Sequence, residues 1–170
     1  MQVAEIRGRF LGVRQQHSYN LYHLFDQVIT KYNPQSFVEI GTGNGAMSIF
    51  LGLYAYQRGA SLLTFDVQER ADLPKARPFF SLLSVYMRMV DAFTAMDEIE
   101  SHIDGKPAFL FCDGDDKPRE MAVFREILPS GSIIAAHDYP SEISATDENG
   151  LVRVSPERWV ETKTAIWRVC

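Results

Sequence analysis

The stretch Phe37-Val38-Glu39-Ile40-Gly41-Thr42-Gly43-Asn44-Gly45-Ala46 decides the fold. Ser36 to Ile40 is a short strand-like run, and three alternating glycines end it. Glycine tolerates the dihedrals of a tight strand-to-helix turn and lets a ligand come close to the backbone. A helix follows from about Ala46 to Gln57 and is stopped by Arg58-Gly59. It is apolar on most sides, as a well-buried helix is. Strand, glycine turn and helix in that order open an α/β unit.

The same alternation extends in both directions. Upstream, Leu21, Leu24, Phe25, Val28, Ile29 and Tyr32 recur at helical spacing, with Ser18 as an N-cap and Asn33-Pro34 as a stop. Downstream, Ser61 to Asp66 reads as a second strand. Pro74 and Pro78 suggest a loop with a short helix over 67–84. Val85 to Val90 reads as a third strand, and Phe93, Met96, Ile99 and Ile103 as one helix face. Pro107 to Cys112 is a fourth strand. Pro118 opens a helix with Met121, Phe124 and Leu128 inward. Ser132 to Ala136 is the fifth strand, a polar loop covers 139–156, and Trp159 to Val169 is a closing strand or hairpin. This predicts an α/β fold: a single-domain, Rossmann-like doubly wound sheet, mostly parallel, with helices on both faces.

Composition supports one ordinary domain over residues 1–170. Hydrophobic residues are 46% and charged residues 23%, outside the range of disordered chains. A net charge of −5 gives no basic field for a large nucleic-acid footprint. Cys112 and Cys170 cannot build a disulfide framework, so a reducing, cytoplasmic setting is expected. No apolar run reaches the length of a membrane span, and Glu5, Arg7, Arg9 and Arg14 interrupt any signal-peptide pattern. A homo-oligomer is compatible with all of this.

In open α/β sheets, ligands bind beyond the carboxyl ends of the strands. Glu39, Asp66, Asp91, Asp113 and Asp138 all fall at such ends. Gly41, Gly43 and Ala46 satisfy a dinucleotide fingerprint, which leaves a nicotinamide cofactor open. Glu39 argues against it, because a carboxylate two residues before the turn repels a pyrophosphate and attracts a cation. S-adenosylmethionine (SAM) carries a sulfonium and an ammonium and no phosphate. Asp66 suits the two ribose hydroxyls of either ligand.

Phe37 to Gly45 resembles motif I of the class I SAM-dependent methyltransferases. In that family an acidic residue after strand two binds the ribose, matching Asp66 and its neighbour Val67. One after strand three contacts the adenine amino group, matching Asp91-Ala92. Leu128-Pro129-Ser130-Gly131 is similar to the family's turn before strand five. Asp113-Gly114-Asp115 and His137-Asp138-Tyr139 look like the small-molecule O-methyltransferase branch, which includes macrocin O-methyltransferase-like and cephalosporin hydroxylase-like proteins. Gly12-Val13-Arg14-Gln15-Gln16 resembles the latter, with residues 1–17 expected to cover the cofactor.

The resemblance implies methyl transfer from SAM to a small-molecule acceptor, at oxygen. It places Glu39, Gly41, Thr42, Gly43, Gly45, Asp66, Val67, Asp91, Ala92 and Asp113 at the cofactor. It places Asp113 and Asp138 at the acceptor, with His137 beside them; His137, unperturbed near neutrality, suits either a general base or a satisfied histidine at a strand end. Asp113 and Asp138 match the positions that hold a divalent metal in some members, with Mg²⁺ the ion for oxygen ligands. The chain departs from the branch at Asp116, where many relatives have histidine, and at Tyr139, where catechol-type enzymes have asparagine.

Other readings of the same residues stand beside these. Asp66 and Asp91 also suit capping of the segments that follow them, and Asp115 and Asp116 suit turn and N-cap roles. His23 and His102 read as surface groups. A nicotinamide-dependent oxidoreductase is one alternative function. A non-enzymatic binding protein on a degenerate methyltransferase scaffold is another, since 32 residues after Asp138 are few for the usual helix and two strands.

Overall fold

A computed structural model describes residues 8–143, 150–155 and 162–170 of the chain. A small hairpin, β1 (Arg9–Phe10) and β2 (Val13–Arg14), comes first. Leu11 and Gly12 make its turn, both at positive φ, which suits the twist of paired strands. Strands of two residues carry no periodicity, so sequence reading did not find them. Helix α1 (Tyr19–Tyr32) buries Leu21, Leu24, Phe25, Val28 and Ile29, the spacing of one helix face. It ends at Asn33, whose left-handed conformation turns its N–H back to the Ile29 carbonyl.

Strand β3 (Ser36–Ile40) and helix α2 (Ala46–Gln57) fall where the glycine pattern puts them. Then come β4 (Leu62–Phe65), α3 (Leu73–Leu82), β5 (Val85–Arg88), a 3-10 turn at Ala92–Thr94 and α4 (Met96–Ile103). The chain continues through β6 (Ala108–Cys112), α5 (Lys117–Phe124), β7 (Ile133–His137), β8 (Leu151–Arg153) and β9 (Thr164–Val169).

The seven strands lie in the order β5-β4-β3-β6-β7-β9-β8. The first five are parallel, and β9 inserts antiparallel between β7 and β8. Every residue of β3, β4 and β6 is buried, as covering on both faces requires. Alternate residues serve opposite faces. Phe37, Phe109 and Phe111 join the core beneath α1 and α2, whereas Val38, Leu110 and Trp167 join the one beneath α4 and α5. This is the Rossmann-like doubly wound sheet expected from the sequence. Its strand order reverses between β3 and β6, so a crevice opens there.

The segment after β4 is a loop and then the ten-residue helix α3, as expected, with Pro74 in its first turn and Pro78 inside. Pro78 deprives the Pro74 carbonyl of its helical donor, yet Leu73, Ala76 and Phe80 are buried and keep the helix on the sheet. Several elements differ from expectation. The helix face read from Phe93 is split at Ala95 into the 3-10 turn and α4. The polar loop contains β8. Both closing strands are therefore formed, while Trp159 and residues 1–7 lie outside the described residues. His102 is not a surface group: its Nε2 lies 3.0 Å from the Phe37 carbonyl, and burial lowers its pKa.

Candidate functional site

The crevice between β3 and β6 holds a cavity of ≈ 320 Å³. One wall is the glycine loop. Gly41, at φ 96°, packs so tightly on the end of β6 that a Cβ would strike the Asp113 carbonyl. At Gly43, at φ 55°, a Cβ would strike the side chain of Gln16, which lies across the loop. Gln16 Oε1 accepts the Asn44 N–H at 2.7 Å, and Asp66 Oδ2 accepts the Gly43 N–H at 2.8 Å. Two amides that a bound phosphate would take at the start of α2 thus meet protein oxygens already.

Glu39 stands behind this wall and is fully buried. The hydroxyls of Ser48 and Thr64 donate to its Oε2, the latter at 2.7 Å. Since the Thr64 proton goes to Glu39, Thr42 donates to Thr64, also at 2.7 Å. Glu39 Oε1 has no partner among the described residues. Burial raises the carboxyl pKa to about 8, against the lowering effect of both hydroxyls. Thr42 and Gly45 share this position behind the cavity, with Gly45 capping α2 at φ 87°.

Gly41, Gly43, Asp66, Val67, Asp91, Ala92 and Asp113 line the cavity itself. Asp66 Oδ1 also accepts the Gln68 N–H at 2.9 Å, and Asp91 Oδ1 caps the 3-10 turn through the Phe93 N–H at 2.9 Å. Each carboxylate oxygen has a second lone pair for a ligand. Phe93 lies on the far side, stacked on Phe124 at 5.3 Å, with the Arg119 guanidinium 4.0 Å over its ring. Asp115, Asp116 and Glu120 complete an acidic lining opposed by Arg70 and Arg119. Asp116 caps α5, as read from the sequence. Glu120 is buried, and desolvation raises its pKa to about 7 although it accepts from Gly114 and Asp116.

Beyond the cavity, the ends of β6 and β7 bring Asp113, His137 and Asp138 together with two residues the sequence did not assign. His17 Nε2 lies 2.9 Å from Asp113 Oδ2 and its ring meets His137 edge-on at 4.7 Å. Lys117 is buried, and its ammonium donates to the Gly114 carbonyl and pairs with Asp138 at 3.2 Å and Glu142 at 3.1 Å. Burial works against its charge, but Glu142, Asp113 and Asp138 outweigh that and hold its pKa above the ordinary value.

His137 Nδ1 lies 2.9 Å from Thr164 Oγ1, which donates its own proton to the Thr162 carbonyl at 3.1 Å. With the Thr164 proton on the Thr162 carbonyl, Nδ1 is the protonated nitrogen, and Nε2 of the neutral ring then keeps a lone pair. Burial and the neighbouring His17 lower the His137 pKa and favour that neutral form.

Asp138 is turned to Lys117 and is not part of the group of close metal-capable atoms found among the described residues, His17, Asp113 and His137. Asp113 and Asp138 in this arrangement do not form the oxygen cage that Mg²⁺ prefers.

Gln16, Phe93, Arg119, Glu120 and Lys117 carry no motif that sequence reading could have used. Gln16 lay in a segment already singled out, and Phe93 was read only as a helix-face residue.

No family model matches the sequence, and no curated protein matches it. Solved structures match its fold. The apo structure of CmcI-N160 has a TM-score of 0.71 at 12% identity, covering 96% of this chain and 76% of that one. A methyltransferase from Geobacter sulfurreducens has a TM-score of 0.63 at 13% identity, covering 90% and 80%. A cmcI-D160 structure with Mg and SAM has a TM-score of 0.62 at 11% identity, covering 96% and 77%. At these identities the likeness is one of fold.

Proposed function

We propose that the chain is a SAM-dependent methyltransferase that methylates a small molecule at oxygen. The carrying observation is the cavity at the strand-order reversal, where acidic groups prevail and the loop amides are already capped by Asp66 and Gln16. That lining suits a cationic nucleoside and disfavours a pyrophosphate, which argues against a nicotinamide cofactor. CmcI, similar in fold, has structures with SAH and with Mg and SAM.

In this reading Asp66, beside Val67, accepts the ribose hydroxyls. Asp91, Ala92 and Phe93 flank the adenine. Gly41 and Gly43 let the amino acid part approach the backbone, with Thr42, Gly45 and Glu39 supporting the loop from behind. Methyl transfer is an in-line displacement: the acceptor oxygen bonds to the methyl carbon as the carbon–sulfur bond breaks. The acceptor proton goes to Nε2 of His137, whose ring lies beside His17 and Asp138. Lys117 holds Asp138 there. A cytoplasmic setting belongs to the same reading, and no helix among the described residues is long and apolar enough to cross a membrane.

Calorimetric titration of the full chain with S-adenosylhomocysteine and, separately, NADH tests this. Binding of S-adenosylhomocysteine alone is expected. Binding of NADH alone overturns the reading, and binding of neither favours a non-enzymatic role.

A further inference from the structure

We propose that His17, Asp113 and His137 form a binding site for a borderline divalent metal ion of the zinc or cobalt type, supplied by two imidazoles and one carboxylate. The proposal rests on the acceptor end described above and deepens it.

Geometry supports it first. One ring nitrogen of each histidine and a carboxylate oxygen of Asp113 all lie within 4.8 Å of one another. The His17 Nε2 to Asp113 Oδ2 spacing of 2.9 Å is close to that of two ligands at roughly a right angle on an ion about 2.1 Å from each. The His137 nitrogen lies within 4.8 Å of both, so the three side chains need to draw together by about 1 to 2 Å around an ion.

Outer contacts support it second. The Thr164 hydroxyl lies 2.9 Å from His137 Nδ1 and 3.1 Å from the Thr162 carbonyl, which holds it in place. Ligating histidines are oriented in this way through the nitrogen that does not touch the metal. The side chains of His17, Asp113 and His137 are only 7%, 17% and 15% exposed, so bulk water competes weakly there.

Ligand type supports it third. Two imidazoles with one carboxylate match catalytic zinc sites that keep an open position. Mg²⁺ prefers oxygen ligands. The nearby Lys117 ammonium opposes a second cation, but Asp138 and Glu142 compensate its charge.

An ion here lowers the pKa of a hydroxyl beside it. Metal binding and proton abstraction are thus alternative uses of the His137 lone pair. His17 also directly follows Gln16, which caps the glycine loop, so an ion on His17 steadies the cover of the cofactor cavity.

The full chain, stripped with chelator, is titrated with Co²⁺, Zn²⁺ and Mg²⁺, reading Co²⁺ visible absorption and binding heat. One equivalent of Co²⁺ is expected to give a d–d spectrum that Zn²⁺ abolishes. His17→Gln and His137→Gln are each expected to weaken Zn²⁺ binding at least tenfold, while His23→Gln leaves it unchanged. S-adenosylhomocysteine binding and a thermal melt establish that each variant is folded. No Co²⁺ spectrum, preference for Mg²⁺, or unchanged affinity in both folded histidine variants overturns the site. Zinc binding without S-adenosylhomocysteine binding supports the metal site and overturns only the methyltransferase reading.

Discussion

The Asp66 carboxylate spans two strand ends, accepting the Gly43 N–H at 2.8 Å with one oxygen and the Gln68 N–H at 2.9 Å with the other. The residue proposed to hold the ribose is thus also the brace of the glycine loop. An Asp66→Asn change keeps one acceptor and loses the charge. S-adenosylhomocysteine affinity is expected to fall roughly 10- to 100-fold, the range of a charged hydrogen bond. Calorimetry checks this, and unchanged affinity in the folded variant would remove Asp66 from the site.

Glu39 makes stability depend on pH. Its carboxyl pKa rises from 4.5 to about 8 on burial, so the folded chain holds a proton that the unfolded chain releases between those values. That stabilisation is complete below about 4.5 and is lost as pH rises towards 8. The melting temperature of the wild type should therefore fall from pH 5 to pH 8 more steeply than that of Glu39→Gln. Glu120 titrates nearby in both proteins and cancels in the difference. Parallel curves would show that Glu39 does not retain its proton.

Gly41 and Gly43 should differ in their tolerance of alanine. At Gly41 the added carbon meets the Asp113 backbone, which cannot yield, whereas at Gly43 it meets the end of the flexible Gln16 side chain. Both pay about 1–2 kcal/mol for a left-handed backbone. Denaturant unfolding should show Gly41→Ala as the more destabilised. Gly43→Ala should lose the Gln16 cap, so its effect on S-adenosylhomocysteine binding should overlap with that of Gln16→Ala in a double-mutant cycle.

Lys117→Met removes a buried ammonium that ties α5 to Asp138 and Glu142. A loss of roughly 1–3 kcal/mol is expected, since these are hydrogen bonds to charged groups with half-exposed partners. Chemical denaturation measures it. No loss would mean that the two carboxylates are equally well served by water.

The sheet was legible because its residues obey local rules. Apolar runs such as Ala108–Cys112 read as buried strands, and Gly41, Gly43 and Gly45 mark a turn that side chains would obstruct. The acidic residues at strand ends were legible for the same reason, since position along a strand fixes which end of the sheet they reach. What they touch was not. Asp138 was expected opposite Asp113 at a metal, yet Lys117, twenty-one positions earlier, takes it up. Glu39 was expected to face a ligand, yet Ser48 and Thr64 take one of its oxygens. Side chains from distant parts of the chain decide both, and no spacing in the sequence encodes such meetings. The hairpin before α1 was hidden by its shortness, and with it the reason why Gln16 and His17 reach the crevice.

Thr164 aims His137 from β9, the antiparallel neighbour of β7. During synthesis, the imidazole at the proposed acceptor end lacks its guide until β9 has emerged and paired with β7. A product clipped before residue 164 would keep every group of the nucleoside crevice and still hold its imidazole loosely.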